Sequence, residues 1–356
     1  MAYIKLYRDK LKHNYEFLNI AFQKRGIEWA IVTKLLCGNQ EYLNEVIKLG
    51  IKEVCDSRIS NLRKVKDIDE SVQTVYIKPP AKRSISDIVR YADASFNSEY
   101  ETIKMLSAEA VRQDKLHKVI IMIELGDLRE GVMGDKVVDF YAAVFKLPKI
   151  KITGIGANLN CLHGVMPSED KLVQLSLYKQ LIEAKFDREI PWVTGGTSVV
   201  FPFILQNRLP KAINHFRMGE TLYFGNNLLD ESPIPEMEQG VIKLFTEIIE
   251  LIEKPVVPIG SMQANVAGEE TEINEEDYGK KSFRAIIDVG LLDISPDYII
   301  PDDSALRVTN ASSDMLILDL GENENNYKVG DLISFKLKYM GALSLLNSTY
   351  IEKIIV

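Results

Sequence analysis

The chain has 356 residues, of which 46% are hydrophobic and 26% are charged, a composition that excludes the disordered and low-complexity classes. Its net charge of -8 gives no broad basic surface, so neither nucleic acid nor an anionic membrane is an expected partner. At roughly 150 residues per domain the length predicts two structural units, and a small-molecule ligand is the default expectation.

The N-terminus and the cysteines favour a cytoplasmic protein. Charged residues begin at Lys5, which leaves no apolar segment of the kind that secretory signals carry. No run approaches the about 18 apolar residues of a membrane span. The three cysteines, Cys37, Cys55 and Cys161, are odd in number and far apart, which indicates reduced thiols. No His, Cys and Asp cluster has metal-ligand spacing, so no metal is expected.

In chain order, a spare strand (YIKLY) and a first helix (RDKLKHNYEFLNIAFQKRG) precede a repeated alternation of short β-branched runs and helical patterns, which predicts parallel βα units. The predicted strands are 29–34, 51–57, 74–78, 94–98, 118–125, 151–159, 191–198 and 215–225. Eight strands that alternate with helices predict an α/β fold, a (β/α)8 TIM-like barrel over residues 8–227.

The pattern changes after the turn-rich segment LLDESPIPE. From VIKLFTEIIELIE to TYIEKIIV the apolar residues alternate, which predicts a C-terminal, mostly antiparallel β domain over residues 228–356. The N-terminal strand, residues 1–7, is assigned to this domain. The acidic segment VAGEETEINEEDYGKK is predicted to be a solvated loop or hairpin.

Polar residues at the C-terminal ends of barrel strands are the candidates for an active site. Lys34 follows the apolar run WAIVT, where desolvation would favour the free amine, although a surface lysine is the alternative. Thr197 and Ser198 follow two glycines in the seventh strand, and Gly219 lies in the eighth. Loops at these two places often bind phosphate, whereas tight turns need glycine for conformational reasons alone. A lysine with a phosphate cradle indicates pyridoxal 5'-phosphate.

Five features in a fixed order carry a family resemblance. A lysine closes strand 1, an arginine follows strand 5, Gly-Thr-Ser follows strand 7, Arg-x-Gly lies in strand 8, and a β domain comes last. This order resembles the two-domain alanine racemase group of fold type III pyridoxal-phosphate enzymes. The segments VTKLLCGN, RMGETLYFG and RAIIDVGLLDI with NASSDMLILDL look most like its ornithine and basic amino-acid racemase branch. The resemblance runs over essentially the whole chain.

The resemblance implies a role for each motif residue. Lys34 would hold the cofactor covalently and act as one catalytic base. Arg217 would face the pyridine nitrogen and keep it unprotonated, which racemisation tolerates better than decarboxylation does. Arg129 would orient the substrate carboxylate, with a solvated loop arginine as the alternative. The other cofactor contacts would come from Thr197, Ser198, Gly219, Glu220 through its backbone, and Asn158.

The chain departs from the family pattern at two places. The segment Leu36–Asn39 replaces the Tyr-Gly-His that follows the lysine in alanine racemases, so their tyrosine contact to phosphate is missing. Gly290–Asp293 replaces Gly-Tyr-x-Asp, whose tyrosine is the base on the face opposite the lysine. Asp314 and Asp293 are the preferred candidates for that base, with Ser313 as a substrate contact. The alternatives are Tyr298 in the second domain and Cys161 and His163 in the barrel.

These expectations combine into a cytoplasmic homodimeric racemase that exchanges the α-proton of ornithine or a related basic amino acid. Dimerisation is implied because the β domain of this group completes the partner's active site. The acidic segment LLDISPDYIIPDD either binds the second ammonium group of the substrate or is a solvated loop. Two other functions stay open, a non-catalytic pyridoxal-phosphate carrier and a basic amino-acid decarboxylase. The role of Cys37 beside the lysine also stays open.

Overall fold

The computed structural model describes residues 2–264, 268 and 273–356. Contacts divide the chain into two compact units, a barrel unit (Asp9–Gln239) and a β unit (Met1–Arg8 with Gly240–Val356). The predicted acidic loop VAGEETEINEEDYGKK lies partly outside the described residues, and its described part contains a 3-10 turn at Glu275–Asp277 and reaches the first residue of the strand Lys281–Ile287. Within the described residues, no helix combines the length and the apolar character needed to cross a bilayer.

The first strand, β1 (Tyr3–Leu6), belongs to the β unit, and the barrel strands follow it along the chain. The barrel strands are β2 (Glu28–Val32), β3 (Glu53–Asp56), β4 (Gln73–Tyr76), β5 (Ala94–Asn97), β6 (His117–Met122), β7 (Ile150–Gly156), β8 (Trp192–Thr194), β9 (Gly196–Thr197) and β10 (His215–Met218). The helices are α1 (Arg8–Gln23), α2 (Gln40–Lys48), α3 (Ile59–Ile68), α4 (Ile85–Tyr91), α5 (Tyr100–Arg112), α6 (Val137–Val144), α7 (Glu169–Phe186), α8 (Phe201–Leu205) and α9 (Glu220–Phe224).

The barrel closes through an interrupted seventh strand. Strands β2 to β8 pair in sequence order and in parallel, while β10 pairs with both β2 and β9. Because β8 and β9 flank Gly195 on one extended segment, they count as one barrel strand, and the sheet closes with the eight strands that were predicted. Alternate strand residues fill the interior, among them Ala30, Val75, Phe96 and Ile120, as expected for a packed barrel.

The predicted eighth strand, 215–225, is wrong in its second half. The strand ends at Met218, and residues Glu220–Phe224 form the short helix α9. Every residue from Thr221 to Phe224 is buried, so the apolar run TLYF has no period that separates a buried helix from a buried strand.

The division between the units falls later than the predicted boundary at residue 228. Residues 226–239 fold back on the barrel unit, because Asn226 bridges to Pro233 and the Ile234 N–H donates to the Gly225 carbonyl at 2.9 Å. The Asn14 side chain of α1 also donates to the Glu238 carbonyl at 2.9 Å. The segment reads as turn-rich sequence, yet it is held by the barrel.

The β unit is a mostly antiparallel sheet. Its later elements are β11 (Ile242–Pro255), β12 (Lys281–Ile287), β13 (Ile299–Pro301), β14 (Arg307–Ala311), β15 (Leu316–Asp319), β16 (Leu332–Leu337), α10 (Tyr339–Asn347) and β17 (Glu352–Ile355). The strand order is β13-β16-β11-β12-β15-β14. The spare N-terminal strand β1 pairs antiparallel with β11 and parallel with β17. Helix α10 was not predicted, because the sequence pattern read Tyr339 and Met340 as the end of a strand.

Candidate active site

Lys34 lies directly after β2, at the start of a one-turn 3-10 helix, Lys34–Leu36. The lysine is exposed, so the desolvation expected from the preceding apolar run is absent. The turn is fixed from behind, because the Thr33 hydroxyl donates to the buried Asp56 carboxylate at 2.9 Å. Cys37 closes the turn in the left-handed region, with φ 49°. The lysine is therefore placed by a strand end and a tight turn.

Asp56 is a site-forming residue that sequence reasoning missed. It ends β3, it is fully buried, and it also accepts hydrogen bonds from the Asn61 amide at 3.2 Å and from the Arg58 backbone N–H at 2.8 Å. Burial raises the pKa of Asp56, and these hydrogen bonds oppose the rise. An aspartate directly after the apolar pair Val54 and Cys55, at the end of a strand, was the available signal.

Arg217 is held rigidly inside the barrel. Its Nη1 donates to Asn158 Oδ1 at 2.9 Å, and its Nη2 donates to the carbonyls of Ala157 at 2.8 Å and Thr194 at 3.4 Å. The guanidinium carbon lies 4.9 Å from the centre of the Phe96 ring. Its Nε is buried and has no hydrogen-bond partner among the described residues. A fixed cation therefore keeps one N–H donor for a group that the protein does not supply.

The seventh and eighth barrel strands present a second set of donors. Ser198 Oγ accepts the backbone N–H groups of Gly219 and Thr221, each at 3.3 Å. Its own O–H donates to no residue in the described part of the chain. Gly219 packs closely on β2, since an added Cβ would lie 3.2 Å from the Val32 Cβ. Thr197, in β9, is partly buried beside Ser198. These groups suit an anion such as a phosphate.

The glycines of the seventh strand serve packing. Gly196 pairs with Phe216 between β9 and β10, and a Cβ at Gly196 would overlap the Phe216 ring. Neither Gly195 nor Gly196 has a positive φ. The structural reason for Gly196 is therefore the contact between two strands, which neither sequence interpretation of the TGGTS segment included.

Glu220 has a side-chain environment beyond its predicted backbone role. Burial raises the pKa of Glu220, the positive charge of Lys34 opposes that rise, and Glu231 adds to it. The carboxyl group therefore lies in the electrostatic field of the candidate catalytic lysine.

A charged network connects two of the predicted residues. Arg129 Nη2 donates to Glu130 Oε1 at 2.5 Å, and Arg129 Nε donates to Glu130 Oε2. The same Oε1 accepts a hydrogen bond from Asn158 Nδ2, and Asn158 Oδ1 accepts from Arg217. Glu130 thus joins the predicted substrate-binding arginine to the predicted cofactor-binding arginine. Sequence reasoning missed it, and its position next to Arg129 was the only signal.

Asp127 organises the loop after β7. It is buried and accepts the backbone N–H groups of Cys161, Leu162, His163 and Val165 at 2.9 to 3.3 Å. Burial alone would raise its pKa, but these four donors outweigh burial and lower the pKa. The barrel candidates for the second base, Cys161 and His163, are both exposed on this loop.

In the β unit, the candidates Asp293, Ser313 and Asp314 lie on two turns that pack together. The Leu292 N–H donates to the Ser313 carbonyl at 2.9 Å, and Gly290 leaves no room for a Cβ against this second turn. Asp293 accepts a hydrogen bond from Ser348 at 2.6 Å. Asp314 is exposed and accepts one from Ser313 at 2.8 Å.

The acidic segment that follows is largely committed to internal contacts. Asp302 pairs with Lys243 at 2.9 Å, and Asp303 accepts the Tyr327 hydroxyl at 2.7 Å. Tyr298 lies in its own 3-10 turn, Pro296–Tyr298. This favours the structural interpretation of the segment over binding of a substrate ammonium group.

Three comparisons give the chain its relatives. The profile of the family described as alanine racemase, N-terminal domain, matches residues 6–227. The ornithine racemase of Acetoanaerobium sticklandii is 35% identical over 97% of both chains, and the lysine racemase of Thermotoga maritima is 30% identical over 93% of this chain and 92% of its own. The crystal structure of alanine racemase from Bartonella henselae with covalently bound pyridoxal phosphate superposes with a TM-score of 0.74 at 14% identity, over 100% of this chain and 99% of that chain.

Proposed function

The chain belongs to the alanine racemase family, and we propose from this premise that it is a pyridoxal-phosphate-dependent racemase of a basic amino acid. Ornithine is the first candidate substrate and lysine the second, because the two relatives of 30% identity or more act on these amino acids by name. The observation that carries the proposal is the buried Nε of Arg217, which has no partner among the described residues. Arg217 lies on β10, which pairs with β2, and Lys34 follows the end of β2 by two residues.

The residues of the barrel unit fit this cofactor. Arg217 offers a buried N–H to a ring nitrogen, and a cation at that position keeps the nitrogen unprotonated. The Ser198 hydroxyl and the Glu220 backbone N–H suit a phosphate, with Gly219 and Thr197 beside them, and Asn158 holds Arg217. Lys34 supplies the amine that binds a carbonyl carbon. When bound, pyridoxal phosphate supplies the electron-withdrawing ring that acidifies the α C–H bond of an attached amino acid.

The residues then divide the work of moving one proton. Lys34, released when the substrate amine takes its place, accepts or returns the α-proton on one face. Arg129 orients the substrate carboxylate through its planar fork. Asp314, with Asp293 as the alternative, exchanges the proton on the other face, and Ser313 contacts the substrate. The family pattern supports delivery of these β-unit residues by a second subunit, so a homodimer is part of the proposal.

A reducing compartment such as the cytoplasm fits the cysteines. Cys37, Cys55 and Cys161 form no disulfide within the described residues, which supports a protein that works in a reducing compartment.

The test combines chemistry at Lys34 with exchange of the α-proton. Sodium borohydride reduction of the purified holoenzyme is expected to fix the cofactor to Lys34, as read by peptide mass. Incubation with L-ornithine in D2O is expected to abolish optical rotation and to place deuterium at the α-carbon. Lys34→Ala is expected to lose both, whereas Lys52→Ala, an exposed lysine at the other end of the barrel, is expected to keep both.

The other two functions give different results in the same experiment. A carrier would bind the cofactor at Lys34 and leave the α-protons of every amino acid unexchanged. A decarboxylase would release carbon dioxide from ornithine and yield the diamine. Either result contradicts the proposal.

A further inference from the structure

Glu130 binds Arg129 directly and is linked to Arg217 through Asn158 at the C-terminal end of the barrel. It follows β6 in the loop that carries Arg129, and its side chain is 8% exposed. One oxygen, Oε1, accepts both Arg129 Nη2 and Asn158 Nδ2, while Oε2 accepts Arg129 Nε. A buried carboxylate is retained only where such donors replace its hydration.

The hydrogen bonds to Glu130 use one edge of the Arg129 guanidinium. A guanidinium has five N–H donors in one plane, so it can hold one carboxylate along Nε and Nη2 and another along the two Nη atoms. Nη1 of Arg129 makes no hydrogen bond within the described residues, and the side chain is 38% exposed. The fork is therefore oriented by Glu130 and still has a free edge for a second carboxylate.

Asn158 forms the second connection, with one end of its amide as donor and the other end as acceptor. Asn158 Nδ2 donates to Glu130 and Asn158 Oδ1 accepts from Arg217 Nη1 at 2.9 Å. The negative charge on one side and the positive charge on the other give this amide one favourable orientation. Glu130 therefore also fixes the acceptor that holds Arg217, whose Nε has no partner among the described residues.

Electrostatic coupling agrees with this geometry. Burial is the main cause that lowers the pKa of Arg217; Cys55, Cys161 and Glu130 oppose that effect, and Arg129 adds to it. The two guanidinium groups thus repel each other across the site, and Glu130 lies between them as the compensating charge.

We propose that Glu130 is a positioning residue that holds Arg129 ready for a substrate carboxylate and, through Asn158, fixes the orientation of Arg217. The identity of that carboxylate as part of an amino acid rests on the proposed function. A role as a simple counter-charge has the opposite consequence, because removing a negative charge beside two cations would strengthen the binding of any anion.

The test therefore asks whether Glu130→Gln binds an anion more weakly or more tightly than the wild-type holoenzyme does. Two probes are titrated through the absorbance of the bound cofactor: pentanoate, which has a carboxylate and no amine, and 1,4-diaminobutane, which has amines and no carboxylate. Glu130→Gln is expected to weaken pentanoate about tenfold, as expected for loss of an oriented charge-assisted contact, and to change the diamine less than about twofold. Tighter pentanoate binding, or equal weakening of both probes, would overturn the proposal.

Three further variants separate positioning from damage to the fold. Asp135→Asn removes an exposed acid that lies between β6 and α6 and pairs with its neighbour Lys136, and it is expected to leave both titrations unchanged. Glu130→Asp keeps the charge and is expected to recover part of the pentanoate affinity, so it also serves if Glu130→Gln does not fold. In an Arg129→Met background, Glu130→Gln is expected to have no further effect on pentanoate, and a full additional effect contradicts the proposal.

Failure of the proposed function and failure of the proposed role of Glu130 give different results. If turnover of ornithine occurs, Glu130→Gln is expected to raise KM more than it lowers kcat, because the carboxylate contact is present in both the bound substrate and the transition state. If wild-type protein racemises nothing, the proposed function fails, while the pentanoate titration still decides the role of Glu130.

Discussion

The two ends of the barrel hold buried polar networks of opposite character, although both include residues of the same strand, β10. At the N-terminal end, His215 is bonded at both ring nitrogens, to Thr194 at 2.8 Å and to Glu53 at 2.9 Å. Gln73 then donates to Glu53 at 2.5 Å. At the C-terminal end, Arg217 lies two residues further along and keeps a buried Nε without a partner in the described chain. A polar group that the fold satisfies stabilises the fold, whereas the Arg217 Nε is available to a ligand.

The N-terminal end of the barrel also borders a cavity. A cavity of about 400 Å³ lies at the N-terminal end, between α1 and the starts of β2, β3, β4 and β8. Several of its polar groups are bonded to one another, since the Trp192 indole donates to Glu28 at 3.2 Å and the Trp29 indole donates to Asn19 at 3.2 Å. Satisfied donors give a ligand nothing to replace, so this end is expected to govern stability, as is typical of the bottom face of such barrels.

We call the N-terminal end of the barrel, where the polar groups are bonded to one another, the closed end, and the C-terminal end, where Arg217 lies, the open end. The largest expected effect is at the closed end. Glu53→Ala leaves His215 and Gln73 without their buried partner and is expected to lower the free energy of unfolding by about 3–5 kcal/mol. Glu28→Ala removes an exposed acid at the start of the neighbouring strand and is expected to lower it by less than about 1 kcal/mol. Urea unfolding measures both variants. Once folded, Glu53→Ala is expected to bind cofactor as the wild type does, and a large loss of affinity would remove the distinction between the ends.

The next effect is a pH dependence from the same end. His117 begins β6, bonds to Ser95 at 2.8 Å, and is buried, which lowers its pKa from 6.5 to about 4. As the pH falls below 6.5, His117 binds a proton in the unfolded chain but not yet in the folded protein. The folded protein therefore loses stability between pH 6.5 and about pH 4. The loss is expected to reach ~3 kcal/mol. His117→Gln is expected to flatten unfolding free energy over this window by that amount, and parallel curves for the two proteins would contradict the assignment.

At the open end, the expected effect falls on ligand affinity. Arg217→Lys keeps a positive charge but lacks the Nε donor, and its ammonium group competes for the carbonyl and amide oxygens that now hold the guanidinium. The dissociation constant of pyridoxal phosphate is expected to rise about 10- to 100-fold, as measured by equilibrium dialysis. Arg208→Lys, an exposed arginine paired with Glu169, is the matched control without effect. An unchanged constant for Arg217→Lys would mean that the open end is no more a ligand site than the closed end.

The sequence predicts the parts of this comparison that depend on local pattern. The eight barrel strands are confirmed apart from the second half of the eighth, because strands buried on both faces stand out as short apolar runs between helices. The helices α9 and α10 are missed, since each follows a strand within two residues and continues its apolar character. The motif positions place Lys34, Arg217 and Ser198 at strand ends, which chain order alone can indicate.

The connections between these positions could not be predicted. Glu130 acquires its importance from Asn158, 28 residues away, and Asp56 from Thr33 on the neighbouring strand. Such contacts depend on barrel register and side-chain direction, and one sequence specifies neither directly. The assigned roles of the site residues stay predictions, and the choice among Asp314, Asp293 and the barrel candidates for the second base belongs to the experiments on exchange.

The smallest expected effect tests whether a single side chain can both stabilise the fold and bind a ligand. Ser198 stabilises the start of α9 by accepting two N–H groups, as a satisfied group does, yet its own O–H is unused within the described chain. Ser198→Ala is expected to lower the unfolding free energy of the cofactor-free protein by about 1 kcal/mol, the usual cost of a lost cap.

Ser168 provides the comparison, because it caps α7 through the Lys171 N–H at 3.4 Å. Ser168→Ala is expected to cost a similar ~1 kcal/mol and to leave the affinity for inorganic phosphate and for the cofactor unchanged. Ser198→Ala is expected to weaken both ligands about five- to tenfold, since one hydrogen bond to an anion is lost. If the two variants differ in neither affinity, the Ser198 hydroxyl is only a cap, and the open end of the barrel is reduced to Arg217 and its network.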